Sequence, residues 1–169
     1  AVDRGKAVET SMGFTPLEGL IMGTRCGDID TAAVFYIMKK EKLSINKTDK
    51  ILNKQSGLLG ISEVSNDLRL IKKEAEKGNK KAELSLDMFI HRIKKYIGAY
   101  LLILGGANAV CFTGGIGENN PGIINIFRKD IRRLLGGKTK VMVIPTDEEF
   151  MIASLTHGLV SSPRPRRKS

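Results

Sequence analysis

The spacing of apolar residues along the chain predicts helices separated by short strands. The longest helical pattern covers residues 80–104, where apolar side chains recur every three or four positions. Two short apolar runs, at 109–112 and 140–144, are typical of buried strands. Because strands and helices alternate, the pattern predicts an α/β fold. The strands are few for a complete α/β domain, which indicates that these strands have further partners.

Capping residues and glycines set the limits of the other predicted helices. Asp30 is placed to cap a helix that ends near residue 42, and Pro121 to open one that ends near residue 135. Two more helices are predicted over 49–55 and 67–77. Thr146 and Glu149 match the T-x-x-E capping box, which predicts a last helix that ends near residue 155.

A glycine-rich segment, TGGIGEN at residues 113–119, follows the first apolar strand and is predicted to be a tight turn before the next helix. Glycines allow positive φ angles and let a ligand approach the main chain closely. The amides at the start of the following helix would attract an anion such as phosphate. Segments of this kind also occur as purely structural turns, so the segment alone leaves both interpretations open.

The composition narrows the class of protein. The chain has 169 residues, of which 41% are hydrophobic and 27% charged, as expected for a globular domain with a sizeable core. No apolar run has the length of a membrane span, and the first residues lack the apolar core of a signal peptide. Cys26 and Cys111 have neither zinc-site nor disulfide spacing, which favours a reducing, cytoplasmic location.

The formal net charge of +10 allows two interpretations. One is an anionic partner, such as a nucleotide, a nucleic acid or an acidic protein. The other, which we favour, is a set of solvated lysine-rich helix faces together with a basic, disordered tail at 161–169. Because the basic residues lack interleaved aromatic side chains and a nucleic-acid motif, we do not expect a nucleic acid as a partner. Because no apolar run is long enough to span a membrane, we do not expect a membrane partner either.

Five other segments accompany the glycine segment: ETSMGFTPLEGL at 9–20, MGTRCGDID at 22–30, SGLLGIS at 56–62, SNDLR at 65–69 and VIPTDEE at 143–149. In this order they resemble the acetate kinase family, from about residue 6 to residue 152. The resemblance implies the actin-like ATPase (ribonuclease H-like) fold, a mixed sheet flanked by helices. It also implies a cytoplasmic homodimer that uses Mg²⁺ and transfers a phosphoryl group from ATP to acetate, giving acetyl phosphate and ADP.

The resemblance covers less than half of a usual family member and implies a fold that is incomplete at the N-terminus. Residues 1–150 would be the C-terminal nucleotide-binding domain, and residues 151–160 a terminal helix that packs on the absent N-terminal domain. Most of the acetate pocket belongs to the absent part, so we expect the chain alone to be inactive. A non-catalytic nucleotide-binding or dimerisation module is the alternative, and the choice between acetate and propionate stays open.

Individual site residues follow from the resemblance. Arg25 matches the arginine at the transferring phosphoryl group, where a guanidinium suits the charge on the equatorial oxygens. The residues alone also allow Arg25 a surface ion pair with Asp28 or Asp30. Glu148 matches a magnesium-linked carboxylate, although the neighbouring Asp147 and Glu149 compete for that role. The residues that match the nucleotide-binding segments are Asp67, Leu68, Arg69, Gly115, Ile116, Gly117, Glu118 and Asn119.

Overall fold

A computed structural model describes residues 1–161. These residues form two compact units, Ala1–Ala107 and the residues from Asn108 onward. The division falls inside the range 1–150 that the sequence predicts as one domain, and that domain assignment stays a prediction. Apart from Ser161, the predicted basic tail lies outside the described residues.

The first unit is mainly helical. Its first two strands are antiparallel, and the turn between them places Arg4 and Gly5 at positive φ angles, as in the tight turns of hairpins. The elements in chain order are β1 (Val2–Asp3), β2 (Lys6–Ala7), α1 (Thr31–Lys40), α2 (Ile45–Lys54), α3 (Gly57–Ser62), α4 (Leu68–Glu76) and α5 (Lys80–Ile103).

Two helices of this unit differ from the prediction. The Ser44 hydroxyl accepts a hydrogen bond from Lys47 N at 3.3 Å, and this cap starts α2 at Ile45 rather than at residue 49. Helix α3 was not predicted, because a six-residue segment with two glycines has little intrinsic helix propensity. It forms where the amides of its first residues donate to carbonyls of a distant loop, which supplies tertiary partners in place of propensity.

Helix α5 is the centre of the first unit, and both α3 and α4 pack against it. Leu58 of α3, Ile71 of α4 and Phe89 of α5 are at most 3% exposed. Burying side chains of this size stabilises the fold by about 1.5–3 kcal/mol each. The long helix that the apolar spacing predicts over 80–104 is therefore confirmed, and its apolar side chains contact α3 and α4.

The second unit is built on a pair of parallel strands. Its elements are β3 (Ala109–Phe112), α6 (Gly114–Asn119), α7 (Pro121–Leu135), β4 (Lys140–Val143) and α8 (Glu148–Ser161). The strand register pairs Ala109 with Lys140 and Phe112 with Val143. The Phe127 ring of α7 is 1% exposed and stacks on Phe112 with the ring centroids 5.1 Å apart. The predicted α/β class is confirmed, and so is the low strand content within residues 1–161.

Two predictions in the second unit were wrong. The glycine segment is a short helix, α6, rather than a turn that precedes a helix at Pro121. Gly114 takes a φ angle of 70°, and this left-handed residue turns the chain from β3 into α6. The last helix also extends to Ser161, beyond the predicted end near residue 155. None of the helices within residues 1–161 has the length and apolarity of a membrane span.

Candidate functional site

Arg25 lies in a loop of the first unit that is held by main-chain hydrogen bonds. At one side of the loop, Cys26 N donates to Leu52 O at 3.0 Å. Burial raises the pKa of the Cys26 thiol, so that this neighbour of Arg25 stays protonated. Three further bonds of 2.9–3.0 Å join the loop to the start of α3: Ser56 N to Thr24 O, Leu58 N to Met22 O, and Leu59 N to Gly23 O.

Gly57, the first residue of α3, fixes the Arg25 loop by close contact. Its φ angle of 65° lies in the left-handed region that favours glycine. A Cβ atom at this position would overlap Met22 O and lie only 2.7 Å from Arg25 O. Because only a glycine fits here, the SGLLGIS segment serves as packing for the Arg25 loop.

The Arg25 side chain is half-buried, and its Nη1 lies 3.7 Å from Met22 Sδ. Among residues 1–161, Arg25 forms no salt bridge, and Asp28 is paired with Arg92 instead. The alternative interpretation of Arg25 as a partner of Asp28 or Asp30 is therefore wrong. A guanidinium without a carboxylate partner can meet a phosphoryl group with its full charge and its donor geometry.

Asp28 joins the Arg25 loop to the segment ETSMGFTPLEGL at 9–20 and to α5. Its carboxylate accepts from Tyr96 Oη at 2.7 Å, from Gly19 N at 3.0 Å and from Arg92 Nη1 at 3.4 Å. Burial, together with the hydrogen bond to Asp28, raises the pKa of Tyr96 to about 12. Sequence reasoning missed Arg92 and Tyr96. The available signal was two polar residues four positions apart on a helix, which places them on one face.

Asp67 and Arg69 form a local pair at the start of α4. Asp67 accepts from Arg69 N at 2.8 Å, and the Arg69 guanidinium donates to both carboxylate oxygens at 2.6–3.1 Å. The Arg69 guanidinium lowers the pKa of Asp67 to about 2. Leu68 is 4% exposed in the core, so only its main chain could reach a nucleotide.

The structure brings this pair close to the Arg25 loop. A Cβ atom placed on Gly23 would lie 3.1 Å from Asn66 O, so the two segments touch main chain to main chain. The predicted site residues of the first unit, Arg25 and the segment 67–69, therefore occupy neighbouring segments.

The other predicted nucleotide residues lie on α6 in the second unit. Gly117 faces β3, and a Cβ atom there would lie 3.0 Å from the Phe112 carbonyl carbon. This close approach explains why the third glycine of the segment is needed. Three of the remaining predicted residues, Gly115, Ile116 and Asn119, are exposed.

Glu118 is engaged with the turn that follows β4. The Thr146 cluster, which consists of the side chains of Thr113, Glu118 and Thr146, joins the carboxyl ends of β3 and β4. Glu118 Oε1 accepts from Thr146 N at 3.0 Å and lies 3.2 Å from Thr146 Oγ1. Thr146 Oγ1 also lies 2.8 Å from Thr113 Oγ1 and accepts from Gly114 N at 2.9 Å.

This cluster replaces the predicted capping box. Thr146 bonds to α6 rather than to α8, so the pairing of Thr146 with Glu149 was wrong. Asp147 caps α8 instead, because its Oδ1 accepts from Phe150 N at 3.0 Å. The motif correctly indicates a helix start, but Asp147 rather than Thr146 is the capping residue.

Glu148, the predicted metal carboxylate, is exposed in the first turn of α8. Within residues 1–161, no three His, Cys, Asp or Glu side chains are grouped so as to hold a metal ion. Mg²⁺ needs only one or two carboxylates when phosphates and waters supply its other ligands. A single exposed carboxylate such as Glu148 therefore fits a Mg²⁺ ion that arrives with a nucleotide. The described residues do not form a complete metal site of their own.

Comparison with known proteins gives consistent matches. A model of the acetokinase family matches residues 1–137. The acetate kinase of Heliobacterium modesticaldum is 46% identical over 179 residues, covering 95% of this chain and 45% of the relative. The crystal structure of Porphyromonas gingivalis acetate kinase has a TM-score of 0.83 and 37% identity, covering 95% of this chain and 45% of that one. The crystal structure of a propionate kinase from Francisella tularensis has a TM-score of 0.84 and 39% identity, covering 90% of this chain and 44% of that one.

The chain spans less than half the length of these relatives. Its fold is that of the corresponding part of acetate and propionate kinases, which are actin-like ATPases. The sequence match over residues 1–137 and the structural match agree. The chain therefore belongs to the acetokinase family.

Proposed function

We propose that this chain is the nucleotide-binding part of a cytoplasmic, homodimeric acetate kinase. The reaction transfers the γ-phosphoryl group of ATP to acetate and gives acetyl phosphate and ADP. Besides family membership, the proposal is supported above all by Arg25, a half-buried guanidinium that has no carboxylate partner among residues 1–161. Propionate is the competing substrate, because one of the similar structures is a propionate kinase.

The proposed reaction depends mainly on the positioning of acetate and ATP and on neutralisation of the negative charge of the phosphates. An acetate oxygen attacks the γ-phosphorus, and the bond to the β-phosphate oxygen breaks, so that the electron pair leaves with ADP. Acetate is already an anion and needs no general base. Arg25 would hold the equatorial oxygens while negative charge spreads over them. A bound Mg²⁺ ion, held in part by Glu148, would neutralise phosphate charge.

In this proposal, Gly115, Ile116, Gly117 and Asn119 of the second unit would contact the nucleotide through α6. For the first unit, the resemblance implies nucleotide binding by Asp67 and Arg69 at the start of α4. Arg69 is 78% exposed at its side chain, so it can turn toward a ligand at little cost.

We further propose that turnover needs the part of the family's length that this chain does not span. The exposed face of α8 supports this proposal. Met151, Ile152 and Leu155 are 57–64% exposed, which is unusual for three neighbouring apolar side chains on one helix. An N-terminal domain would cover this face, as the resemblance implies.

The second candidate function is a non-catalytic nucleotide-binding or dimerisation module. It is favoured by the nucleotide-segment residues that the chain carries, which are Gly115 and Gly117 on α6 and the paired Asp67 and Arg69 at the start of α4. Both candidates predict ADP binding, whereas only the first predicts acetyl phosphate formation once the remaining part is supplied.

The proposed nucleotide site is tested by calorimetric titration with ADP and Mg²⁺. In Gly117→Val, the new side chain pushes α6 away from Phe112, because even a Cβ atom there would lie 3.0 Å from main chain. We expect at least about tenfold weaker binding, or 1.4 kcal/mol. Gly122→Val is the matched control, since a Cβ atom on this helical glycine meets nothing within 4 Å. Equal affinity in both variants, or no binding by the wild type, would remove the nucleotide proposal.

A further inference from the structure

The hydrogen bonds of the Thr146 cluster can be satisfied in only one way. A threonine hydroxyl has one proton to donate and two lone pairs to accept with. The Gly114 amide can only donate, and the ionised Glu118 carboxylate can only accept. Thr146 therefore accepts from Gly114, donates to Glu118 and receives the Thr113 proton, so all three contacts of its hydroxyl are used.

This arrangement ties down the residues that follow. Thr146 is held to α6 through both its main-chain amide and its hydroxyl. The next residue, Asp147, is fixed because it caps α8 through Phe150 N at 3.0 Å. Glu148 comes directly after these two residues, so its main chain begins from a position that Glu118 sets.

We propose that Glu118 is a positioning residue, which acts through Thr146 to hold Glu148 where a magnesium-bound nucleotide needs it. The inference rests on the proposed function. It differs from the role that the family resemblance implies for Glu118, which is direct contact with the nucleotide. Glu118 Oε1 accepts hydrogen bonds from both the amide and the hydroxyl of Thr146. These two bonds are the reason to assign Glu118 a positioning role.

The test is a calorimetric titration of the full chain with ADP, run with and without Mg²⁺. The measured quantity is the magnesium effect, defined as the ratio of ADP affinity with Mg²⁺ to that without. In Thr146→Val the hydroxyl is lost at nearly constant shape, and we expect the magnesium effect to fall about tenfold, as for other residues that orient a metal ligand. Thr146→Ser keeps the hydroxyl and should keep the magnesium effect.

Two further variants separate geometry from charge. Glu118→Gln retains an oxygen that can accept from Thr146 but removes the negative charge, so it should keep most of the magnesium effect. Glu118→Ala removes the acceptor and should behave like Thr146→Val. Thr156→Val, at an exposed position on α8, is the matched control and should match the wild type. These variants also keep the test valid should Thr146→Val fold poorly.

The possible failures are distinct. Wild-type protein that does not bind ADP overturns the proposed function and this inference together. Wild-type binding that Mg²⁺ does not strengthen overturns the inference, because Glu118 would then have no metal ligand to position. The inference alone fails if Thr146→Val weakens ADP binding equally with and without Mg²⁺, which is a purely structural effect. It also fails if Glu118→Gln loses as much as Glu118→Ala.

Discussion

The Arg25 loop and the Thr146 cluster are held in place by different means. The Arg25 loop is fixed by main-chain hydrogen bonds and by Gly57, which leaves no room for a Cβ atom. The Thr146 cluster is fixed by exposed side chains that bond across the ends of two strands. A change in the loop therefore has to disturb the fold, whereas a change in the cluster can alter orientation and leave the fold intact.

The largest expected effect is on the Arg25 loop. Gly57→Ala combines a positive φ angle with overlap of Met22 O, and we expect a loss of about 3 kcal/mol or more in the free energy of unfolding. Gly78→Ala is the matched control, because Gly78 has a φ angle of 88° but nothing within 4 Å of an added Cβ atom. It should cost only about 1–2 kcal/mol, the strain alone.

The Thr146→Val variant completes this comparison. Because the contacts of the Thr146 side chain are exposed, we expect the substitution to lower the free energy of unfolding by no more than about 1 kcal/mol. Chemical denaturation of the three variants measures all these values. Similar losses for Gly57→Ala and Thr146→Val would break the distinction between the two regions.

An intermediate effect is expected at Tyr96, which joins α5 to Asp28. Tyr96→Phe removes only the hydroxyl, and we expect a loss of about 1 kcal/mol in the free energy of unfolding. The pKa of Tyr96 is raised from its ordinary value near 10 to about 12, so the neutral phenol is favoured in the folded state. Its contribution is therefore complete below pH 10 and is lost as the pH rises toward 12.

Denaturation as a function of pH checks this prediction. The difference between wild type and Tyr96→Phe should shrink between pH 10 and pH 12. Tyr36→Phe, at an exposed tyrosine of α1, is the control and should show no such change. A difference that stays constant through this range would mean that the hydrogen bond from Tyr96 to Asp28 does not contribute to the free energy of unfolding.

The smallest effect is expected at Asp67. Arg69 lowers the pKa of the Asp67 carboxyl from 3.8 to about 2. The stabilisation from the charged form is therefore present above about pH 4 and is lost as the pH falls through 2. Asp67→Asn keeps an equally good helix cap, so it isolates the charge. The wild type should exceed this variant in stability at neutral pH, and the two should converge near pH 2, as followed by thermal unfolding.

The sequence predicts elements well where their own residues determine them. The apolar spacing of α5 and the apolar runs of β3 and β4 all lead to elements at the expected positions. Each of these elements has a strong local pattern, and its burial follows directly from that pattern.

Elements that depend on distant partners escaped prediction. Helix α3 needs the carbonyls of Met22 and Gly23, which lie more than thirty positions earlier. Likewise, Thr146 does not form the predicted capping box, because its amide donates to Glu118 instead of to Glu149. Local sequence reasoning has no access to such partners, and the same limit explains why the contacts of Asp28 with Arg92 and Tyr96 were missed.

The most direct test of the account is an assay of the purified chain alone with ATP, Mg²⁺ and acetate, with acetyl phosphate trapped as it forms. The account predicts that the chain binds ADP but produces no acetyl phosphate above the background without protein. Robust formation of acetyl phosphate by this chain alone would contradict the claim that it supplies only the nucleotide side of the site.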